Sequence, residues 1–176
     1  MIKIIFSILL TTLTLWSCPF DEAGVEVTIV APKTIYSAAK SGNFEKAYKA
    51  IEKEKKLYKY FEKTDKKPLY QALLDASLAK DSTKIKALLD HSLVLEIKEL
   101  LGQVEENFSK YQKSRLLLIK AKKHLKVLTK DRQAMKIMKT ILKSIGNPGL
   151  MGVGQRDADK AVFIKNKEYL LNYIDR

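Results

Sequence analysis

The sequence predicts an all-α fold: six or seven helices that form antiparallel hairpins in a bundle, after an extended N-terminal tether. Two observations support this fold class. From Lys33 onward, apolar residues recur at spacings of three and four, the period of a helix that buries one face. Short breaks that contain Gly, Pro, Asn or Ser separate these stretches, as expected for turns between antiparallel helices. We therefore assign residues 33–176 to one helical domain and residues 18–32 to the tether.

Residues 1–17 form a short positive start followed by an apolar run. Lys3 precedes a mostly apolar stretch from Ile4 to Leu15, and the first acidic residue is Asp21. This order is typical of a secretory signal peptide. One alternative is an uncut membrane anchor, although the run is shorter than the ~20 residues of a spanning helix. The other is a cytosolic protein whose apolar N-terminus is buried.

The end of this run, Leu15-Trp16-Ser17-Cys18, resembles the lipobox of bacterial lipoproteins. The resemblance implies removal of residues 1–17, acylation of Cys18, and a location in the cell envelope on a membrane that faces the periplasm. Pro19 is not the aspartate that retains lipoproteins in the inner membrane, which favours the outer membrane. Cys18 is the only cysteine, so its acylation would leave no free thiol and would exclude disulfides, thiolate metal sites and a cysteine nucleophile.

The tether contains three helix-breaking residues, Pro19, Gly24 and Pro32. Between them, Val25 to Val30 alternates enough to predict one short strand or an extended arm. A lone strand does not stabilise itself, so we expect this segment to lie along the domain or to stay loose.

Two helical hairpins are predicted in the first half of the domain. In the first, Gly42 suits the left-handed position after a helix, and Asn43 can cap the next helix, from Phe44 to about Lys63. Residues 39–47 resemble the inter-helix turn of a tetratricopeptide unit, which implies a helical hairpin. A second hairpin begins at Pro68, at an offset of 40 residues, and the two are either true repeats or independent helix pairs.

The second half contains the longest periodic stretch, residues 93–128. Within it, Gly102 and the apolar cluster 116–119 predict a bend or a second buried face. A further helix is predicted from about Asp131 to Ile145, followed by a glycine-rich loop. The last helix is expected to begin near Asp157.

Charge is the strongest chemical asymmetry. The chain has a net charge of +13, and residues 18–176, with 32 basic and 20 acidic residues, carry +12. Between Lys110 and Lys143 there are twelve basic residues and one acid, Asp131. A stripe opposite the apolar face of one helix is expected to bind anionic lipid or an acidic protein partner: Lys130, Arg132, Lys136, Lys139 and Lys143. The alternative interpretation is an ordinary solvated helix face.

The loop and helix start from Leu150 to Val162 resemble the helix-hairpin-helix element that binds DNA. The resemblance implies that backbone amides near Gly152 and Gly154 contact a phosphate. However, Asp157 and Asp159 would place negative charge at that phosphate, so a capped helix start is the simpler interpretation. We therefore do not expect nucleic acid to be the main partner.

No catalytic or metal-binding constellation is predicted, and no cofactor. His91 and His124 lack a second ligand at helical spacing, and no nucleophile elbow is present. Glu96 and Glu99 form an E-x-x-E pair of the kind found in helical iron sites, but ordinary surface pairing with neighbouring lysines is the simpler interpretation. The sequence thus favours a membrane-anchored, non-enzymatic protein-interaction or assembly factor. An accessory for envelope uptake of iron or DNA is the alternative.

Overall fold

The computed structural model describes residues 25–149 and 154–175, and within these ranges the fold is all-α, as predicted. Cys18 and Gly152 lie outside the described residues. The described helices are named in chain order: α1 (Val25–Lys40), α2 (Phe44–Lys53), α3 (Lys55–Asp65), α4 (Leu69–Leu78), α5 (Ser82–Glu106), α6 (Tyr111–Leu128), α7 (Arg132–Ser144) and α8 (Lys160–Ile174).

The extended arm predicted for residues 25–30 is wrong, because this segment is the start of α1. Pro32 lies inside the helix and does not end it. Ala31, Ile35, Ala38 and Ala39 form one buried line, so the packed face of the helix continues on the N-terminal side of the proline. The helical state of residues 25–30 thus runs against the strand preference of their valines, and local propensity is only a weak guide to the final fold.

Two long predicted stretches are each divided into two helices. The helix expected over residues 44–63 is interrupted at Glu54, which allows Ile51 of α2 and Tyr58 of α3 to be buried together. The stretch 93–128 is broken after Glu106 and not at Gly102. There, the Asn107 side-chain amide donates to the backbone carbonyl of Gln103 at 2.8 Å, and the backbone carbonyl of Asn107 accepts from Ser114 Oγ at 2.7 Å. These bonds end one helix and fix the start of the next.

The turn between α1 and α2 has the predicted chemistry. Gly42 adopts a left-handed φ of +78°, and the Asn43 side chain accepts a hydrogen bond from the Lys46 amide at 3.0 Å. Ser77 of α4 also donates to the Phe44 carbonyl at 3.0 Å, which fastens α4 to the start of α2. The first hairpin is therefore held by a side-chain cap and by a contact from a later helix.

The buried residues form two apolar clusters that share α5. The first cluster joins α1 to α4 with the N-terminal half of α5, and the second joins the C-terminal half of α5 with α6, α7 and α8. Helix α5 is buried at every position from Ser92 to Ile97, where it passes from one cluster to the other. It therefore serves as the central helix of the bundle. None of the described helices is long and apolar enough to span a membrane.

Candidate functional site

The predicted basic stripe lies on the outside of α7 and the turn that precedes it. All five residues of the stripe are exposed: Lys130, Arg132, Lys136, Lys139 and Lys143. The opposite face of α7 is buried and includes Ala134, Ile137, Met138 and Ile141. The helix thus separates a cationic outer face from an apolar inner one, as the sequence predicted.

Asp131, the single acidic residue between Lys110 and Lys143, has a structural role. Asp131 caps α7, with Oδ1 accepting from the amides of Gln133 at 2.5 Å and Ala134 at 3.1 Å. Its Oδ2 accepts from the Tyr173 hydroxyl at 2.8 Å, which ties α8 to the start of α7. The Tyr173 bond, together with the amide bonds, holds the pKa of Asp131 below its usual range. The carboxylate therefore stays ionised, yet its acceptors are directed at the fold and not at the lysines.

The lysines and arginines from Lys110 to Lys143 form no ion pair within the part of the chain that the structure describes. The N-terminal half differs: Lys49 lies 2.6 Å from Glu45, and Lys86 lies 2.5 Å from Asp90. Twelve basic side chains on one continuous segment are thus left without carboxylate partners among the described residues. We name this surface, residues 110–143 on α6 and α7, the basic surface.

The glycine-rich loop between α7 and α8 is closed by its own backbone. Asn147 and Arg156 exchange two backbone hydrogen bonds of 2.8 and 2.9 Å. Gly146 is left-handed, and a Cβ there would lie 2.7 Å from the Arg156 carbonyl oxygen, so this position requires glycine. Gly154 is also left-handed, and it is exposed.

The start of α8 is capped by the protein itself. It begins at Lys160, three residues later than predicted, and the Asp159 side chain accepts from the Val162 amide at 2.9 Å. The capped helix start is therefore confirmed, and the Val162 amide is already used by a carboxylate.

A buried charged pair lies where α5 and α6 meet, and the sequence interpretation missed it. Glu96 Oε2 forms an ion pair with His124 Nδ1, and both side chains are essentially inaccessible to solvent. The expected surface pairing of Glu96 with neighbouring lysines is wrong, because the carboxylate points into the bundle. The missed signal is the apolar setting of both residues: Leu95 and Ile97 flank Glu96, and His124 lies on the apolar face of its helix with Leu117 and Ala121.

Tyr58 of α3 borders this pair. Its hydroxyl and Glu96 Oε1 are buried and have no hydrogen-bond partner among the described residues. Burial raises the pKa of Tyr58, and the nearby charge of Glu96 raises it further. Burial likewise raises the pKa of Glu96, against the opposing effect of its bond to His124. The site is therefore a closed polar centre between the two apolar clusters.

Glu99, the second member of the E-x-x-E pair, and the nearby Glu105 do not converge with Glu96. Glu99 accepts from Gln103 at 3.1 Å on its own helix, and Glu105 pairs with Lys167 of α8. Within residues 25–149 and 154–175, no group of three or more His, Cys, Asp or Glu side chains is arranged to hold a metal ion.

One apolar groove opens beside the basic surface. It has a volume of about 320 Å³ and lies between α1, α5 and the end of α6. Its apolar residues include Tyr36, Leu89, Leu93 and Val127, and lysines from all three helices stand at its margin. Lys86 also lies over the Tyr36 ring, with 5.7 Å between its Nζ and the ring centroid.

No protein-family model matches the chain, and neither a curated protein nor a solved structure shows significant similarity to it.

Proposed function

We propose that the protein is a lipid-anchored, non-enzymatic helical module of the bacterial cell envelope that acts as an interaction or assembly factor. In this proposal Cys18 carries the anchor, and the basic surface binds anionic lipid or an acidic protein. The observation that supports it best is the set of twelve lysines and arginines from Lys110 to Lys143 without a carboxylate partner among the described residues.

The energetics favour a surface role for these cations. Basic residues near an anionic leaflet each contribute about 1 kcal/mol when they approach within a Debye length. Several of them together are strong enough to hold a domain at a surface that a lipid chain has already brought close. A lipidated Cys18 and a polybasic surface would provide two complementary signals for membrane binding.

The anchor is tested by Cys18→Ala in the producing bacterium. We expect the variant to keep its N-terminal segment or to leave the membrane fraction, because acylation requires the thiol. Mass spectrometry of the purified protein and fractionation of the cells measure both results. An unchanged mature mass together with unchanged membrane association would rule out the lipoprotein assignment.

The basic surface is tested by reversing Arg132, Lys136 and Lys139 to Glu together. The matched control reverses three exposed lysines on α2, α3 and α5, with the same change in net charge: Lys46, Lys56 and Lys84. In-cell crosslinking with mass spectrometry and sedimentation with anionic vesicles are the readouts, and circular dichroism checks helicity. We expect only the first variant to lose its partners. Equal binding by both variants at moderate salt would reject the role of the basic surface.

A further inference from the structure

Helix α6 carries an apolar line on the side opposite its buried residues. Leu116 is 62% exposed and Ile119 is 38% exposed, which places both among the large apolar side chains that remain accessible in the described fold. Further along the same face, the exposed Lys123 and then the partly buried Val127 follow at helical spacing. Val127 also lines the groove with Tyr36 and Leu93.

Basic residues flank this line on both sides. With about 3.6 residues per turn, Lys113 and Lys120 lie on one flank, and Arg115, Lys122 and Lys126 lie on the other. None of these cations lies within 4.0 Å of a carboxylate in the part of the chain that is described. Long basic side chains can place their aliphatic stems along apolar surface and their charges beyond it.

We infer that the outer face of α6 is a docking surface for an anionic lipid bilayer. Leu116 and Ile119 enter the boundary between headgroups and acyl chains, while the two flanking rows of cations contact lipid phosphates. This inference rests on the proposed function, and it assigns anionic lipid as the partner of the basic surface.

The arrangement of charge and apolar surface selects lipid over an acidic protein. A helix that lies in a membrane interface needs apolar side chains along its centre and cations at their margins. An anionic bilayer matches this arrangement, because its phosphates lie at the surface, where the cations can reach them, and its hydrocarbon lies beneath, where the apolar side chains can enter. The unpaired cations and the exposed Leu–Ile pair are explained together by this one surface.

Tryptophan probes test whether this face enters the bilayer. In the full chain with Trp16→Phe, Leu116→Trp places a single tryptophan on the outer face of α6. Leu78→Trp, at a site on α4 that is 69% exposed, is the matched control. We expect the fluorescence of the Leu116→Trp protein to shift to the blue with phosphatidylglycerol vesicles and not with phosphatidylcholine vesicles. The Leu78→Trp protein should show no such shift with either.

A second pair of variants measures the apolar contribution. Leu116→Ser combined with Ile119→Ser should weaken binding to phosphatidylglycerol vesicles by about tenfold, because two side chains lose their apolar burial. Leu78→Ser should bind like the wild type. Both sites are exposed, so folding is expected to be retained, and circular dichroism verifies this.

The outcomes separate the two proposals. If the protein sediments with anionic vesicles while the Leu116→Trp emission stays unshifted, docking through α6 is overturned and the basic surface stands. A blue shift of equal size at Leu78→Trp would also overturn it, since both sites would then report non-specific adsorption. If triple reversal on α7 leaves vesicle and crosslinked-partner binding unchanged, the proposed function itself fails.

Discussion

The two faces of α6 treat charge in opposite ways. On the inner face, the His124 ring is buried against the Glu96 carboxyl group, and each side chain is the polar partner of the other. On the outer face, cations stand in solvent with no carboxylate partner among the described residues. A buried charge is costly unless it is paired, whereas an exposed lysine is hydrated and needs no partner. The inner pair is therefore a structural necessity, and the outer cations are free to bind something else.

The largest expected effect comes from breaking the inner pair. Glu96→Ala leaves the buried His124 ring without its polar partner, and an unsatisfied buried polar group typically costs about 1–3 kcal/mol of unfolding free energy. Urea unfolding followed by circular dichroism measures the loss. The control is Glu52→Ala on the exposed face of α2, which should be near neutral. A loss of less than about 1 kcal/mol at Glu96 would contradict the structural role of the pair.

A smaller loss is expected when both partners are replaced together. Glu96→Leu with His124→Leu removes both charges and fills the space with apolar atoms. Well-packed apolar replacements of buried pairs are often neutral or even stabilising. The double variant should therefore be more stable than either single variant, and a double-mutant cycle gives the coupling energy between the two sites. Additive losses would show that the two side chains act independently.

The sequence predicted the helical class and the exposed stripe of α7 but missed the buried pair at the inner face of α6. It also predicted a bend or a second buried face at residues 116–119, where Leu116 and Ile119 are exposed. Periodic apolar residues predict which side of α7 is buried, because that property depends only on spacing along one helix. The pairing of Glu96 with His124 depends on how α5 and α6 meet, and 28 positions separate the two residues. No local pattern carries this information. The apolar neighbours of each residue indicate burial, but they do not identify a partner on another helix.

The same difference between local patterns and contacts between helices explains the errors in the predicted helix boundaries. The breaks at Glu54 and after Glu106 contain neither Gly nor Pro, so no strong breaker marks them. They are set instead by packing on both sides and by the hydrogen bonds of Asn107. Conversely, Pro32 is a strong breaker that α1 passes through, because the buried line from Ala31 to Ala39 favours continuation. Local signals therefore failed where contacts between helices decide the backbone.

The inner face should also respond to pH. Burial raises the pKa of Glu96 above its ordinary value of 4.5, and the charge of Glu54 adds to this effect, while the bond and charge of His124 oppose it. The folded protein then binds more protons than the unfolded chain between pH 4.5 and the raised pKa. The stability that Glu96 contributes is complete below pH 4.5 and is lost as the pH rises through the folded pKa.

Glu96→Gln tests this pH dependence, because the amide cannot ionise. His124, Tyr58 and Glu54 are retained in the variant, so the difference from the wild type reports the ionisation of Glu96 together with its coupling to His124. We expect the free energy of unfolding of the variant to increase relative to that of the wild type as the pH rises above 4.5. Urea unfolding of both proteins at several pH values measures the difference. A difference that is constant with pH would mean that the Glu96 pKa is the same in the folded and unfolded states.

The smallest expected effect on stability comes from the outer face of α7, which carries part of the basic surface. Lys136→Gln with Lys139→Gln removes two cations from the basic surface, and the free energy of unfolding should change by no more than about 0.5 kcal/mol. A slight gain is expected, because neighbouring like charges repel each other in the native protein. Binding to anionic vesicles, by contrast, should weaken and become less sensitive to salt, since fewer charges are screened. Stability that falls as far as in Glu96→Ala would show that the outer cations support the fold, and the contrast between the two faces of the bundle would then be lost.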